Sequence, residues 1–491
     1  MKAHIHVSLA LVLTASAALA GETVVLDASS YWRCRYTGGT EVASTEAGDL
    51  VNVHPKAVRA KGTKTVDGKT KRVQLLKKHP GQLIWAVPAA NWRSANYDDA
   101  SWARLRGPFL IGAYRTPQFA YRSVPMVCLR GRFRVDDPGR AGGLKLSIVY
   151  QGGVAVFVNG TEVVRKHLPA GELKPETLAE AYPAEAFVDA EGFLLDSKSP
   201  KETNAARHAK RLREMKDFEI PASALRKGVN VLALELHRAP AAEAMFMRKC
   251  KADRWNLVKH TQYHWWSRVG IKTLSLSAPA GAGVAGHAGS KRPAGLQVWA
   301  APIYQEGKGT DYGDPCDLPG RVRLCTGRGG AVSGQVVASS DGEIRGMKAA
   351  ASELKGPGTI PASAVQLRYA RPGWKRGRSK TAVFMELEDF PADPVPAAGG
   401  GALQPVWLTV RVPADAKPGE YSGTLTVSAA GAKAVAVPVT LRVVDWRVPE
   451  PKDYRNSFLE FIQSPESVAL HYKVKMWSEE HGKLLDRTFG L

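Results

Sequence analysis

Between residues 404 and 444, apolar and polar residues alternate with the two-residue period of a half-buried β-strand. Val406, Leu408 and Val410 share one face of the first run, while Trp407 and Thr409 lie on the other face. Residues 416–420 supply a turn, because proline fixes φ and glycine accepts positive φ. Alternation resumes at residues 421–427 and 434–444. The pattern predicts the closing strands of a β-sandwich.

The rest of the chain shows the same habit in short segments. Its 47 glycines and 31 prolines are spread over 491 residues, and most periodic runs are brief and alternating. We therefore predict an all-β fold with two tandem β-sandwich domains and a short α/β stub at the C-terminus. The predicted boundaries are residues 1–20 for a signal peptide, 21–277 for the first domain, 278–292 for a small-residue linker, 293–452 for the second domain and 453–491 for the stub.

The first twenty residues have the character of a secretory signal peptide. Lys2 precedes a largely apolar run at residues 7–19, and Ala18-Leu19-Ala20 provides the small residues of a cleavage site. We predict an exported protein, secreted or periplasmic, with a retained N-terminal anchor as the alternative. No later stretch has the roughly 18 apolar residues that a membrane-spanning helix needs.

The five cysteines are too few and too scattered for a disulfide-built scaffold. Cys316 and Cys325 could close a small loop after export, so we predict a disulfide between them as one option. No Cys-x-x-Cys pair is present, and no nucleophile elbow, P-loop or dinucleotide motif indicates an organic cofactor. We expect no cofactor, and a structural calcium ion stays open.

The formal net charge is +22, and basic residues concentrate at 56–78, 201–213 and 371–380. In an exported protein this charge favours an acidic or sulfated polysaccharide, or an anionic cell surface, over nucleic acid. A solvated surface is the alternative, because apart from Trp374 these runs lack interleaved aromatic residues. We predict a polysaccharide or glycan partner, no nucleic acid and no membrane span, and leave the oligomeric state open.

Four motifs follow one another between residues 91 and 237: NWRSANYDDASW, LRGRFRV, VAVFVNGTEVV and LRKGVNVLALELH. This order resembles the jelly-roll, galactose-binding-like domain at the front of many glycoside hydrolases, including the family 2 glycosidases. The resemblance implies that Trp102 packs in the core, that Asn159-Gly160 turns a hairpin and that residues 227–233 form the last inner strand. Asn159-Gly160-Thr161 also matches a glycosylation sequon, which the hairpin suffices to explain.

A longer series of motifs spans residues 333–451 and includes SGQVVASSDGEIRGMKAAASELKGPGTI, VPADAKPGEYSGTLTV and LRVVDWRVPEP. It resembles the Ig-like N-terminal domain of glycoside hydrolase family 123 and its relatives. In that family a (β/α)8 catalytic barrel follows, so the resemblance implies that the stub begins a barrel, with a strand at 458–462, a loop at 463–481 and a helix starting near Ser478. We expect a chain truncated there, with Phe458, Phe461 and Leu485 lacking packing partners.

The same resemblance bears on catalysis. Family 123 enzymes hydrolyse N-acetylgalactosaminides with an Asp–Glu pair in later barrel strands, and no position here corresponds to that pair. Three acidic groups could substitute for it: Asp98-Asp99, Asp136-Asp137, and Glu386 with Glu388-Asp389. The first two suit turns, and the third adjoins turn residues although Glu386 and Glu388 share a strand face. We predict no catalytic residue in this chain.

Aromatic residues near Arg, Asn or Gln are the candidates for sugar binding, because flat rings stack on the apolar faces of sugars. Core packing is the alternative for each of them. His260 and His264 have the spacing of a helical metal pair, with packing or a sugar-facing rim as the alternative. The predicted carbohydrate-binding residues are Tyr114, Tyr121, Trp255, Tyr263, Trp265 and Trp266.

Together these features favour the exported accessory portion of a glycoside hydrolase-like protein, which binds or scaffolds carbohydrate without catalysis. Two alternatives stay open. One is an N-acetylhexosaminidase-like glycoside hydrolase whose barrel is lost by truncation or encoded elsewhere. The other is a structural protein of the cell envelope that binds no sugar.

Overall fold

The structure is a computed structural model, and it is built mainly from β-strands. It describes residues 21–53, 59–66, 69–76, 78, 81–110, 124–195, 204–247, 268–286, 292–303, 305, 307–317, 320–372, 384–450, 453 and 465–489. Two β-sandwiches follow one another along the chain, and two helices lie at the C-terminal end. The predicted all-β fold with tandem sandwiches is therefore confirmed.

The strands of the first half are β1 (Glu22–Asp27), β2 (Trp32–Tyr36), β3 (Gly38–Gly39), β4 (Glu41–Ser44), β5 (Leu50–Val53), β6 (Arg59–Val66), β7 (Lys69–Leu76), β8 (Ile84–Trp85), β9 (Ala103–Leu105), β10 (Met126–Val135), β11 (Lys145–Gln151), β12 (Gly153–Val158), β13 (Thr161–Lys166), β14 (Arg213–Glu219), β15 (Gly228–His237), β16 (Ala241–Ala242), β17 (Gly270–Pro279) and β18 (Val284–Ala285). The strands of the second half are β19 (Gln297–Ala301), β20 (Val322–Arg328), β21 (Ala331–Ser340), β22 (Lys348–Ala351), β23 (Leu354–Lys355), β24 (Thr359–Ile360), β25 (Val365–Pro372), β26 (Phe384–Glu388), β27 (Ala402–Arg411), β28 (Gly419–Ser428) and β29 (Val435–Arg447). The helices are α1 (Ala205–Ala209), α2 (Ala244–Met247), α3 (Pro465–Tyr472) and α4 (Glu479–Phe489).

The first sandwich packs a four-stranded sheet, β1-β17-β11-β14, against a seven-stranded sheet, β13-β12-β15-β10-β2-β9 with β18 on β10. Alternate residues of β10, such as Leu129 and Phe133, are buried between the sheets together with Tyr150 of β11 and Leu276 of β17. Their neighbours in β10 point to the opposite face, because successive side chains of a strand alternate. The seven-stranded sheet therefore presents Arg130 and the other even-numbered residues of β10 away from this core.

A second apolar cluster covers that outer face of the seven-stranded sheet. Trp102 is 2% exposed and lies 5.6 Å from the Trp92 ring and 5.7 Å from the Tyr97 ring. These rings pack on Cys128 of β10 and Phe157 of β12. Trp102 is thus a core residue, as the sequence implies, but it closes the outside of the sandwich instead of filling the space between its sheets.

The turn between β12 and β13 uses Asn159 and Gly160, both at positive φ (54° and 98°). The Asn159 side chain is fully engaged: Nδ2 donates to the Ala224 carbonyl at 2.9 Å and to Asn230 Oδ1 at 2.7 Å, and Oδ1 accepts from the Val231 amide at 3.0 Å. This is the predicted hairpin. The sequon amide is occupied by hydrogen bonds in the fold, which leaves it no role as a glycan acceptor in the folded chain.

The segment predicted as a linker, residues 278–292, begins inside the first sandwich. Ala278 is 1% exposed within β17, and Ala282 is 7% exposed. Val284 and Ala285 pair with Val135 and Arg134 of β10. The prediction was wrong for residues 278–286, because these residues continue β17 and pair with β10 while Ala278, Ala282 and Val284 pack in or against the core of the first sandwich.

The second sandwich packs a five-stranded sheet, β19-β21-β27-β25-β26, against a six-stranded sheet, β20-β29-β28-β23-β24 with β22 on β28. Val406, Leu408 and Val410 of β27 are buried between the sheets, as their alternation predicts. Most pairs are antiparallel, but β20 runs parallel to β29 and places Val322 opposite Val439. The strand predicted at residues 405–412 is confirmed as β27.

Two helices follow the second sandwich. Helix α4 starts where predicted, and its first turn is capped by the Ser478 hydroxyl, which accepts from the His481 amide at 3.2 Å. Helix α3 occupies part of the stretch that we expected to be a loop. Proline at the first position and Glu466 in the first turn both favour a helix there. The predicted strand at 458–462, with Phe458 and Phe461, lies outside the described residues.

Within the described ranges, no helix is long and apolar enough to cross a membrane.

Candidate functional site

An open groove of about 810 Å³ lies on the second sandwich. Segments far apart in sequence line it: residues 307–310, residues 388–392 after β26, and a set of residues between positions 395 and 404. Tyr369 and Arg371 of β25 and Arg487 of α4 complete the lining. A cavity of this size is large enough for a small ligand such as a short oligosaccharide.

Glycines let two of these segments approach each other closely. A Cβ atom added to Gly309 would lie 2.1 Å from the Ala398 carbonyl oxygen, so only glycine fits at this position. Arg292 fastens the two segments together, because its Nη1 donates to the Gly309 carbonyl at 2.5 Å and to the Gly400 carbonyl at 3.4 Å. Arg292 and the close approach of these glycines therefore hold two segments of the lining together.

One aromatic ring stands out at the groove. Phe390 lines the groove and is 82% exposed, although burying a phenyl ring away from water is energetically favourable. It lies in a turn after β26, with Pro391 next to it in the lining. An exposed ring in a groove can stack on the apolar face of a sugar.

The carboxylates of β26 near the groove are held by arginine. Arg371 Nε lies 3.1 Å from Glu388 Oε1, and the same guanidinium bonds Glu386. The hydrogen bond to Glu386 raises the pKa of Arg371. His471 of α3 approaches Glu386 from the other side, with 3.5 Å between Nε2 and Oε1. Glu386 and Glu388 share a face as predicted, and both of them serve an ion pair.

Asp389 joins the strand to the last helix. Its Oδ1 lies 3.8 Å from Nε of Arg368, and its Oδ2 lies 3.5 Å from Nη2 of Arg487. The three carboxylates of this predicted acidic group therefore all contact positively charged side chains. Each of them is therefore engaged within the fold by side chains of β25, α3 or α4.

The side chains of the acidic pair Asp98-Asp99 have two different roles. Asp98 accepts from the Ala100 amide at 3.1 Å and also contacts Arg323, so it is the residue that caps the turn. Asp99 is 3% exposed and bonds Arg130 and Arg132 of β10, with 2.6 Å to Arg130 Nε and 2.7 Å to Arg132 Nη2. Both residues lie at the predicted turn, since the Asp99 carbonyl accepts from the Trp102 amide at 2.9 Å, but the Asp99 side chain also enters a buried charge cluster.

Asp99 belongs to a buried charge cluster, which we call the arginine cluster and define as Arg33, Arg130 and Arg132 with Asp99 and Asp317. Arg132 Nη1 lies 2.9 Å from Asp317 Oδ1, and Arg33 bonds the other oxygen of Asp317. Burial alone would raise the pKa of Asp99, but the charges of Arg132 and Arg130 outweigh it and lower that pKa below 3.8. Sequence reasoning missed this cluster, whose only signal was the Arg-x-Arg alternation in LRGRFRV.

The acidic pair Asp136-Asp137 lies in a turn, as predicted. Asp137 Oδ1 accepts from the Gly139 amide at 2.9 Å, and both side chains lie at the surface. Neither residue lines the groove.

The predicted sugar-binding residues cannot be placed relative to the groove. Tyr114, Tyr121, Trp255, Tyr263, Trp265 and Trp266 all lie outside the described residues, as do His260, His264 and Trp374. Their roles stay predictions. Of the groove residues, only Glu388 and Asp389 were singled out individually from the sequence, and both as acidic candidates. The signal for Phe390 was an aromatic residue inside the turn sequence EDFPADP.

The predicted disulfide is not formed in the structure. Cys316 and Cys325 are both free thiols. Cys316 is 7% exposed, whereas Cys325 lies in β20 with its side chain exposed. One sulfur points inward and the other outward, so the nine-residue spacing that suggested a bridge does not bring them together.

Among the residues described here, no cluster of three or more His, Cys, Asp or Glu side chains could hold a metal ion. The open possibility of calcium therefore gains no support from these residues.

The fold defines a tandem β-sandwich protein with an open groove on its second sandwich. Residues 320–429 match the family model of the glycoside hydrolase 123 N-terminal domain. The match covers most of the second sandwich, confirms the resemblance found in the sequence and relates the chain to glycoside hydrolases. No curated protein matches the chain.

Solved structures with similarity to the chain include a family 123 glycoside hydrolase from Clostridium perfringens that acts in glycolipid glycan hydrolysis. It is 19% identical with a TM-score of 0.31, and the match covers 38% of this chain and 34% of that one. A β-glucuronidase from Bifidobacterium dentium is 12% identical with a TM-score of 0.24, and the match covers 87% of this chain and 49% of that one. A Bacteroides uniformis β-glucuronidase is 8% identical with a TM-score of 0.21, over 72% and 30% of the two chains. This chain thus spans half or less of each of these structures.

Proposed function

We propose that this chain is the exported accessory portion of a glycoside hydrolase-related protein, and that it contacts glycan through the groove of its second sandwich without hydrolysing it. The observation that carries the proposal is Phe390, an 82% exposed ring in a groove of about 810 Å³. The groove shares most of its lining with the region that matches the glycoside hydrolase 123 N-terminal domain. A role in carbohydrate recognition fits both facts.

The ion pairs of the described carboxylates support the part of the proposal that concerns hydrolysis. Glu386, Glu388 and Asp389 are each engaged by arginine, and Asp99 lies in the arginine cluster. Glycoside hydrolysis needs a proton donor and a second group across the scissile bond. Ion-paired carboxylates on one strand supply neither, so the chain would hold a glycan in place for chemistry carried out elsewhere.

An anionic glycan is favoured over a neutral one. The chain carries a formal net charge of +22, and Lys308, Arg371 and Arg487 are among the lining residues. Against them the lining has only the carboxylates of Glu388 and Asp389. Sulfate or carboxylate groups on the sugar would therefore be attracted, and this attraction would weaken as salt screens it.

Export rests on residues 1–20, which lie outside the described part of the chain. Expression of the full chain in a secreting bacterial host, followed by N-terminal sequencing of the extracytoplasmic protein, tests it. We expect a mature N-terminus at Gly21. Retention of the full-length chain in the cytoplasm would contradict export.

Binding is tested by screening the mature chain against neutral, carboxylated and sulfated oligosaccharides at low and high salt. We expect Phe390→Ala to weaken binding about two- to tenfold, because an aromatic contact contributes on the order of 0.5–1.5 kcal/mol beyond the area that it buries. Phe193→Ala is the matched control, since Phe193 is also surface-exposed and does not line the groove. Equal affinity of both variants would place the glycan elsewhere.

Hydrolysis is tested with aryl N-acetylgalactosaminides and the same purified chain. We expect no release of the aryl group above the uncatalysed rate. Turnover that disappears on Glu386→Gln or Glu388→Gln would overturn the accessory role and assign the chemistry to β26.

A further inference from the structure

Residues 307–317 connect two parts of the molecule, and we call them the strap. Its first four residues line the groove of the second sandwich. Its later residues contact the first sandwich, through Asp311, Tyr312 and Asp317. The strap has no strand or helix of its own. Its path is fixed by these contacts, by contacts on the second sandwich and by turns within residues 308–311 and 314–317.

At its far end the strap is held by the arginine cluster. Asp317 accepts from Arg132 at 2.9 Å and from Arg33, and the side chains of these arginines are 3% and 5% exposed. Both arginines also contact Asp99 within the first sandwich. Asp317 therefore adds a carboxylate from the second half of the chain to a charge cluster that is otherwise made by the first.

In its middle the strap is held by Tyr31 of the first sandwich. The Tyr31 hydroxyl donates to Asp311 Oδ1 at 3.2 Å and accepts from the Tyr312 amide at 3.1 Å. The rings of Tyr31 and Tyr312 meet edge to face, with centroids 5.0 Å apart. Arg104 lies 3.5 Å from the centroid of the Tyr31 ring and 5.3 Å from that of Trp299 in β19, which joins the two sandwiches at the same place.

At the groove end the strap has fewer contacts. Gly309 accepts from Arg292, and Gly313 donates to Gln297 Oε1 at 2.8 Å. Ordering a loop costs backbone conformational entropy for each residue that is fixed. The contacts with the first sandwich contribute to offsetting that loss.

We propose that the first sandwich positions the strap through Asp317 and Tyr31, so that the groove keeps its binding shape only while the two sandwiches are docked. Asp317 and Tyr31 are positioning residues in this mechanism, since neither lines the groove. The part of this inference that concerns affinity rests on the proposed glycan binding. The part that concerns the strap does not.

Hydrogen exchange of the full chain without ligand tests the strap directly. In Asp317→Asn and Tyr31→Phe we expect the amides of residues 307–313 to exchange about tenfold faster than in the wild type. Tyr31→Phe removes a single oxygen and keeps the ring, so it reports on the strap even if Asp317→Asn also loosens the first sandwich. Asp415→Asn, at an exposed turn of the second sandwich, is the control and should leave the strap unchanged. Unchanged exchange of the strap in both test variants would overturn the proposal.

Glycan titration of the same variants separates this inference from the proposed function. If the wild type binds a glycan, we expect both positioning variants to lose about tenfold in affinity, with Asp415→Asn unaffected. Unchanged affinity would show that the groove keeps its shape without the first sandwich and would overturn the inference. If the wild type binds no glycan at any salt concentration, the proposed function fails, and the exchange experiment alone decides whether the first sandwich positions the strap.

Discussion

Asp99 supplies negative charge to three arginines of the first sandwich. Its oxygens lie 2.6 Å from Arg130 Nε, 2.7 Å from Arg132 Nη2 and 3.9 Å from Arg33 Nε. Arg130 is completely buried, so solvent water cannot replace the carboxylate as its partner if the carboxylate is lost. Removing one partner of a buried ion pair is costly because the other charge stays behind.

We expect Asp99→Asn to lower the free energy of unfolding by about 3–5 kcal/mol at pH 7, measured by urea denaturation. The pKa of Asp99 is lowered in the fold, so this carboxylate stabilises the protein above its unfolded pKa near 3.8 and loses that effect as the pH falls through the lower folded value. The difference between wild type and variant should therefore narrow below pH 3.8. Asp137→Asn, at an exposed turn, should change stability by less than about 0.5 kcal/mol. A difference that is constant from pH 7 to pH 2 would contradict this account.

Adjacent acidic residues show where sequence reasoning stops at this scale. Asp98 and Asp99 both suit a turn, and the sequence does not indicate which one faces inward. The choice depends on Arg130 and Arg132, which reach the turn only because β10 aligns their side chains on one sheet face. Phe390 was missed for a similar reason, since an aromatic residue in a turn is recognisable as a binding ring only when the surrounding groove is visible.

The β12–β13 hairpin depends on a single side chain at its turn. Asn159 has a φ of 54°, a conformation that costs an ordinary L-residue on the order of 1 kcal/mol. Its amide also tethers the turn to Ala224, Asn230 and Val231. The two contributions can be separated by substitution. Glycine adopts positive φ without strain, but it has no side-chain amide to make the hydrogen bonds.

We expect Asn159→Gly to lower the free energy of unfolding by about 2 kcal/mol through the lost hydrogen bonds, and Asn159→Ala by about 1 kcal/mol more through backbone strain. Thermal denaturation of the two variants beside the wild type measures both values. Equal stability of the two variants would show that the turn relaxes out of positive φ.

At the scale of elements, alternation was a good guide to strands and a poor guide to boundaries. The runs at residues 129–135 and 405–412 are confirmed as parts of β10 and β27, because both have one apolar face. Residues 278–286 were assigned to a linker since they contain little to bury, yet backbone pairing places Val284 opposite Val135. The resemblance implied a loop at residues 463–481, but α3 forms within it and leaves Leu470 74% exposed.

The described cysteine side chains differ in their exposure to solvent across the molecule. Cys34 and Cys128 are buried in the first sandwich, and burial raises the pKa of each thiol well above 9.0. Cys316 is buried at the strap, and Cys325 is exposed on the second sandwich. Reactivity follows the exposed thiolate, so only Cys325 of these four is open to a reagent in the folded state.

We expect a Cys250→Ser variant to react with iodoacetamide at Cys325 alone while it is folded, and at the remaining buried thiols only in denaturant. Peptide mass spectrometry identifies the labelled positions. Protection of both Cys316 and Cys325, lifted by a reductant, would instead reveal the disulfide that the sequence suggested.

The tandem arrangement of sandwiches could be predicted, but their docking could not. Local sequence patterns, namely the two-residue period of the strands and the turn residues between them, indicate each sandwich. The contacts between them join residues such as Arg33 and Asp317, which are 284 positions apart, and leave no periodic trace. A strap of polar residues after β19 has the composition of an ordinary loop, and its role becomes visible only from the side chains that receive it.

The parallel pairing of β20 with β29 delays the completion of the second sandwich during synthesis. Val322 lies opposite Val439, so the second sandwich cannot close until the chain has grown past residue 439. At about 5–20 residues per second, β20 waits on the order of ten seconds for its partner. During that interval the edge of β20 has no partner strand, and it can pair with other chains until β29 emerges.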